Sequence, residues 1–216
     1  MTKRSYGQYC GLARALDVVG GRWSLLIVRE LLVGPARYSD LLAGTSGIAT
    51  NLLSERLRDL EEVGVVERSL DRASNGVLFS LTPWGSELRD AVAALVRWST
   101  PLMVTGPQED SFRTNWLAVA LDALLHDNKA AVSATVGLEV QNRIVSVHID
   151  DTGTHIALDG EPQPTSVLRA EPAVVLGLAS GMLTVEQAVL AGEFRGDLDD
   201  FDIVFGQFAG ALRTIA

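Results

Sequence analysis

Thr50, Asn51, Ser54 and Arg58 lie in one apolar-periodic stretch, and their side chains suit hydrogen bonding to the edges of nucleic-acid bases. Thr50, Ser54 and Arg58 are spaced i, i+4, i+8, so a helix sets them in one row. Hydroxyls bond several base edges, an asparagine amide matches adenine, and an arginine forks onto guanine or holds a phosphate. Leu53, Leu57 and Leu60 occupy a separate face of the same stretch and leave the polar row for a partner. Arg37 and Ser39 start the preceding short helix, and Arg22 opens an earlier apolar one. Arg72, Ser74 and Asn75 fall in a polar loop between two β-rich runs. Each of these six suits a phosphate or minor-groove contact. The competing reading is a solvated helix face, with Arg56 and Arg58 paired to Glu55, Asp59 or Glu62.

Other reactive groups are sparse. The single cysteine, Cys10, excludes an internal disulfide and a cysteine-built zinc site. A symmetric intersubunit disulfide or a mixed adduct is the redox chemistry left to it, with Arg14 one turn on to favour the thiolate. The plainer reading of Cys10 is a small packing residue at a dimer interface. His126, His148 and His155 have no metal-ligand spacing, although His148 and His155 fall on neighbouring predicted strands beside Asp150 and Asp151. Phosphate-loop and G-x-S-x-G motifs are absent from the sequence. No metal, cofactor or enzymatic activity is expected.

The elements that must position the polar row follow from periodicity and punctuation. Helices are predicted over 10–19, 23–33, 38–43 and 49–63, with Gly20-Gly21, Gly34-Pro35, the Gly44–Gly47 turn and Gly64 as their stops. Strands are predicted over 65–69 and 77–81, with Asn75-Gly76 as the turn signal. Thr82 as N-cap and Pro83 at the first helical position begin a helix that runs to Trp98. Its apolar stripe is long for the end of a small domain, and a partner helix from a second subunit would bury it. Residues 100–110, with two prolines and a glycine, are the expected linker. Beyond it come a helix over 112–126, strands over 131–140, 143–149, 154–158 and 166–169, helices over 171–180 and 184–190, a short strand at 194–195 and a closing helix over 198–212. The expected fold class is α+β, with domains at 1–105 and 106–216.

The charge follows the same division. The net charge of −9 is unusual for a protein that meets DNA. Residues 1–100 hold 12 basic and 11 acidic residues, whereas residues 101–216 hold 6 and 16. The acidity thus belongs to the second half, and the asymmetry argues for two domains with different partners. No apolar run approaches the roughly 18–20 residues of a membrane span. With no signal peptide legible in the first residues, a cytoplasmic protein without a membrane partner is expected.

The first hundred residues resemble the HxlR family of bacterial winged-helix regulators. The resemblance rests on Cys10, GGRWSLLIVREL at 20–31, RYSDL at 37–41, GI at 47–48, LLSERLRDLEEVGVVER at 52–68, FSLTPWGSEL at 79–88 and Trp98. It departs at Ala49, where serine is frequent, at Asn51, where lysine is common, and in a wing without proline; these bear on the operator sequence. The resemblance implies a winged helix-turn-helix, a homodimer built through the first and last helices of the domain, and double-stranded operator DNA of near-palindromic sequence. Some members sense oxidants through a cysteine near the place of Cys10.

The second half resembles a sterol-carrier-protein-like domain through EPAVVLGLASGMLTVEQAVLAGEFRGDLDDFDIVFGQF at 171–208. That implies an apolar small-molecule effector, with Trp116, Leu117, Leu121, Met182, Phe194, Phe201, Phe205 and Phe208 as lining residues; ordinary core packing is the alternative for each. The reading is a dimeric transcriptional regulator, more a repressor than an activator. Two others stand beside it: a redox-responsive regulator acting through Cys10, and a lipid-binding protein whose N-terminal domain only dimerises.

Overall fold

The computed structural model describes residues 5–71, 76–103, 106–160 and 163–206. The chain divides into two compact units, Met1–Val92 and Ala93–Ala216.

The first unit begins with helices α1 (Gly11–Val19) and α2 (Ser24–Val33). Strand β1 (Ala36–Arg37) leads into α3 (Tyr38–Gly44) and α4 (Thr50–Glu62). Strands β2 (Val66–Asp71) and β3 (Gly76–Leu81) form an antiparallel hairpin, and β1 adds to its other edge in the order β1-β3-β2. Two residues after Gly34-Pro35 are too few to show a strand period, which is why β1 was not legible. Leu53, Leu57 and Leu60 are 0%, 3% and 1% exposed, as the spacing predicts. Each such burial contributes about 1.5–3 kcal/mol, which fixes the rotation of α4 about its own axis. Gly64, at φ +76°, ends that helix, and the Val65 N–H returns to the Leu60 carbonyl at 2.9 Å.

The helix expected from Thr82 to Trp98 is two helices, α5 (Pro83–Ser86) and α6 (Leu88–Ser99). The Thr82 hydroxyl caps α5 by accepting from the Gly85 N–H at 3.0 Å. The Glu87 N–H then bonds the Trp84 carbonyl at 3.2 Å, a tighter turn than the α-helix makes, and this turn separates the two helices.

The boundary between the units falls within α6, and in the second unit a 3-10 turn at Thr100–Met103 is followed by α7 (Thr114–Leu125). A mixed five-stranded sheet follows, built from β4 (Ala134–Val140), β5 (Arg143–Ile149), β6 (Thr154–Leu158), β7 (Ser166–Arg169) and β8 (Glu193–Arg195) in the order β6-β5-β4-β7-β8. β4 and β7 run parallel; the other pairs are antiparallel. Gln141 and Asn142 both take positive φ, 52° and 61°, and close the β4–β5 hairpin in two residues. Helices α8 (Pro172–Ala179), α9 (Val185–Leu190) and α10 (Leu198–Phe205) complete the unit. Thr184 and Gln187 cap α9 reciprocally, each side chain accepting the other's backbone N–H. The alternate residues Val136, Leu138, Val145 and Val147, none of them exposed, join α7, α8 and α10 in one core. No helix among the described residues is long and apolar enough to cross a membrane.

Candidate nucleic-acid interface

The row on α4 stands in solvent: Thr50, Asn51, Ser54 and Arg58 are all exposed, as are Arg22, Arg37 and Ser39. Arg72, Ser74 and Asn75, expected at the wing tip, lie outside the described residues. The structure separates the two arginines of α4. Arg56 is tied to Asp59 at 2.7 Å and to Glu55 at 3.5 Å, the solvated-face pairing the sequence allowed. Arg58, two residues further along the helix, is exposed.

Three sets of polar contacts brace the helix-turn-helix and its hairpin, and a pattern of apolar and polar positions shows none of them. The first is a buried ion pair on α2. Glu30 is 7% exposed and pairs with Arg29 at 2.7 Å. Arg29 also donates to the Gly44 carbonyl at 2.8 Å, which fixes the end of α3 where the chain turns toward α4. In a periodicity reading, Glu30 was a polar interruption of an apolar helix. A Cβ on Gly44 would overlap the Glu30 carboxylate, so the small residue of the turn is required by packing.

The second contact is the Tyr38 hydroxyl, which donates to the Thr50 carbonyl at 2.7 Å and lies 3.2 Å from Ser54 Oγ. The third lies at the hairpin. Arg37 pairs with Asp71 at 2.9 Å, joining the start of α3 to the end of β2, and Arg68 on β2 donates to Glu61 on α4 at 2.6 Å. Arg37 therefore carries a structural partner at the place where a phosphate contact was expected.

Cys10 is exposed and takes the N-cap position of α1. Arg14, one turn on, is 3.7 Å from Asp17, so its charge is shared with a carboxylate. Asp17 also accepts from the Tyr6 N–H at 2.9 Å and the Ser5 hydroxyl at 2.8 Å, which lower its pKa and hold the segment before Cys10 against α1.

In the second unit, the expected ligand-lining residues largely pack on one another. Leu117, Leu121, Phe201 and Phe205 belong to the core and are at most 2% exposed. Phe194 packs against that core, with its ring 5.3 Å from Phe201 in an edge-to-face arrangement. Trp116 and Met182 are half-buried, and Phe208 lies outside the described residues. A surface cavity of about 750 Å³ in this unit is lined by others, including Phe112, Glu139, Asn142, Arg169 and Glu193. A second, of about 670 Å³, lies in the first unit between α1, Val65 and Trp84.

His148 and His155 do approach across β5 and β6, with ring centroids 6.1 Å apart, and His126 takes no part. Their Nε2 atoms are 3.4 and 3.8 Å from Asp150 oxygens, yet no group of three such side chains among the described residues is arranged to hold a metal ion. Asp150 Oδ1 is occupied by the Thr152 hydroxyl at 2.6 Å, the Thr152 N–H at 2.8 Å and the Gly153 N–H at 3.1 Å. These bonds, the Thr152 hydroxyl first, lower its pKa to about 2. A folded-state pKa below the unfolded value stabilises the fold above the unfolded pKa, and the contribution is lost as pH falls through the folded one. Asp150→Asn is therefore expected to flatten the acid dependence of stability between about pH 4 and pH 2. Urea unfolding at fixed pH steps, followed by circular dichroism, measures it; an unchanged acid slope would remove Asp150 from the account.

Residues 18–105 match the family described as HxlR-like helix-turn-helix. The HTH-type transcriptional regulator YvaP of Bacillus subtilis (strain 168) is 35% identical over 88 residues, which are 40% of this chain and 82% of the relative. YtfH of Escherichia coli (strain K12), another HTH-type transcriptional regulator, is 33% identical over 94 residues, covering 43% of this chain and 75% of its own. The redox regulator HypR in its reduced form is 27% identical and superposes with a TM-score of 0.40, covering 43% of this chain and 92% of that one.

Proposed function

We propose, from the premise that this chain belongs to the HxlR-like helix-turn-helix family of transcriptional regulators, that it is a dimeric repressor reading a near-palindromic operator through α4. The observation that carries this reading is the exposed row Thr50, Asn51, Ser54 and Arg58 on a helix whose opposite side is locked into the core by three leucines. A helix-turn-helix reads base edges with the N-terminal part of its second helix.

Dimerisation is supported by apolar surface that a monomer leaves wet. Tyr9 is fully exposed, Leu12 and Leu16 on α1 are exposed, and so are Leu95 and Trp98 on α6. The operator contacts proposed for Arg22, Arg37 and Ser39 are to phosphates. For the second unit, the proposal is a sensor taking an apolar small molecule. Its support is a large apolar cluster between one sheet and several helices, which such a molecule would enter by displacing side chains around Phe194 and Phe201.

The test is binding of the full chain to the duplex upstream of its own gene against random-sequence duplex, at two salt concentrations. A sequence preference that survives moderate salt is expected, and a panel of long-chain alcohols and fatty acids should then shift the affinity. Binding that ignores sequence and vanishes with salt is phosphate attraction alone and would overturn the operator reading.

A further inference from the structure

Arg37 has two claims on its charge. The operator reading gives it to a backbone phosphate, whereas in the protein itself it pairs with Asp71 at 2.9 Å. Strand register shows how that pair is made. On β1, Arg37 lies opposite Leu78 of β3, and Leu78 in turn lies opposite Ser69 of β2. Asp71 ends β2 two residues beyond Ser69 and so shares its face. Its own partner across the hairpin is Gly76, which has no side chain. The Arg37 side chain therefore crosses β3 to reach the carboxylate.

The hairpin does not depend on this pair for its place. Backbone pairing of Ala36 with Phe79 and of Arg37 with Leu78 already joins it to the start of α3. On its other face Arg68, opposite Phe79, donates to Glu61 on α4 at 2.6 Å. The Arg37 N–H donates to the Asp40 carboxylate at 3.2 Å, which fixes the backbone from which the side chain swings. With the Arg37 and Asp71 side chains 48% and 21% exposed, water and salt weaken their attraction.

A phosphate drawn to Arg37 meets the charge of Asp71, and like charges a few ångströms apart repel. The two anions thus compete for the guanidinium even if both touch it. The first hundred residues hold 12 basic against 11 acidic residues, so little long-range attraction for DNA offsets that competition. We propose that Asp71 is an internal competitor of the DNA backbone for Arg37. It holds the guanidinium in the free protein and yields it when a phosphate arrives, at a loss of affinity. Duplex of any sequence must displace it, so binding through phosphates alone is kept weak and base contacts from α4 must supply the rest. The proposal rests on the reading that this unit binds duplex DNA, and it adds the residue that sets the level of unspecific binding.

The experiment is a double-variant cycle on the full chain. Fluorescence anisotropy reads binding to a duplex selected from a randomised library and to random-sequence duplex. Arg37→Ala should weaken binding to both by about five-fold and shrink the slope of log affinity against log salt by about one, as the loss of a phosphate contact does. Asp71→Asn keeps the side chain's size and removes its charge. It should tighten binding to both duplexes by about five-fold, the upper end for an exposed ion pair. In the Arg37→Ala background the same substitution should gain at most about two-fold, the part due to one negative charge fewer near DNA.

Equal gains in the two backgrounds would mean that Asp71 repels DNA without acting through Arg37, and would overturn the proposal. A loss of affinity in Asp71→Asn, the mark of a brace on the hairpin, would overturn it too. So would an Arg37→Ala protein with wild-type affinity and salt slope. Failure to enrich any sequence is a separate result: it overturns the operator reading, while the cycle on random duplex still decides whether Asp71 competes for Arg37. A chain that binds neither duplex overturns both.

Discussion

Replacing Asn51 and Arg58 together by alanine is expected to lower affinity for a selected operator by about 100-fold, since each good side-chain contact to a base contributes about 1–3 kcal/mol. Both residues are exposed, and neither lies on the face made by Leu53, Leu57 and Leu60. Thermal stability should therefore stay within about 0.5 kcal/mol of the wild type. Affinity for random duplex should change much less if both side chains meet bases, because binding without sequence preference rests on phosphate contacts. The two single variants separate two roles for Arg58. If it forks onto guanine, Arg58→Ala relaxes the preference at one position and leaves the salt dependence alone. If it holds a phosphate, affinity falls evenly across sequences, and the slope of log affinity against log salt shrinks by about one. Fluorescence anisotropy titrations at three salt concentrations read both. A double variant that binds the selected duplex as the wild type does would take α4 out of the groove.

The polar row was legible because helix geometry is periodic. Three leucines at fixed spacing identify the buried face, and what remains is exposed. The contacts that aim the row were not legible, because they join residues distant in sequence through single atoms. Tyr38 meets Thr50 and Ser54 through its hydroxyl, and in a pattern of apolar and polar positions it is only another aromatic. Glu30 is charged and buried, and only the approach of Arg29 and the Gly44 turn makes it intelligible. The break at Glu87 escaped for a related reason: a continuous apolar stripe spans it, and a tighter turn needs no special residue at that place. In the second unit, strands β5, β6 and β7 were readable to the residue, since alternation and turn chemistry agreed there. Whether Phe201 and Phe205 line a tunnel or fill a core is a question of volume, to which spacing is blind. They are at most 2% exposed within a packed cluster, so an apolar ligand would have to make its own room.

Gly85→Ala is expected to be the most damaging single methyl in the first unit. A Cβ at Gly85 would overlap the Val65 carbonyl oxygen and lie 3.0 Å from the carbonyl carbon. Both are backbone atoms, and neither is free to give way. That carbonyl accepts the Thr82 N–H at 3.1 Å, and the Val65 N–H is held by the Leu60 carbonyl at 2.9 Å. The Thr82 hydroxyl, which caps α5, also donates to the Gly64 carbonyl at 2.6 Å. Gly64, Val65, Thr82 and Gly85 thus form one joint, where the end of α4, the start of the hairpin and the start of α5 meet. Forcing a methyl into it should cost about 2–3 kcal/mol, the usual range for overpacking a site that cannot relax. In a unit of this size that lowers the melting temperature by roughly 10 °C. The relief available is to move Val65, and with it the C-terminal turn of α4. Operator affinity should then fall together with stability, which sets this variant apart from the Asn51 and Arg58 pair, where binding falls and stability stays. Differential scanning calorimetry alongside the anisotropy titration distinguishes the two. A Gly85→Ala protein melting within 2 °C of the wild type would mean that the joint yields, and that α4 is aimed by the Tyr38 and Glu30 contacts alone.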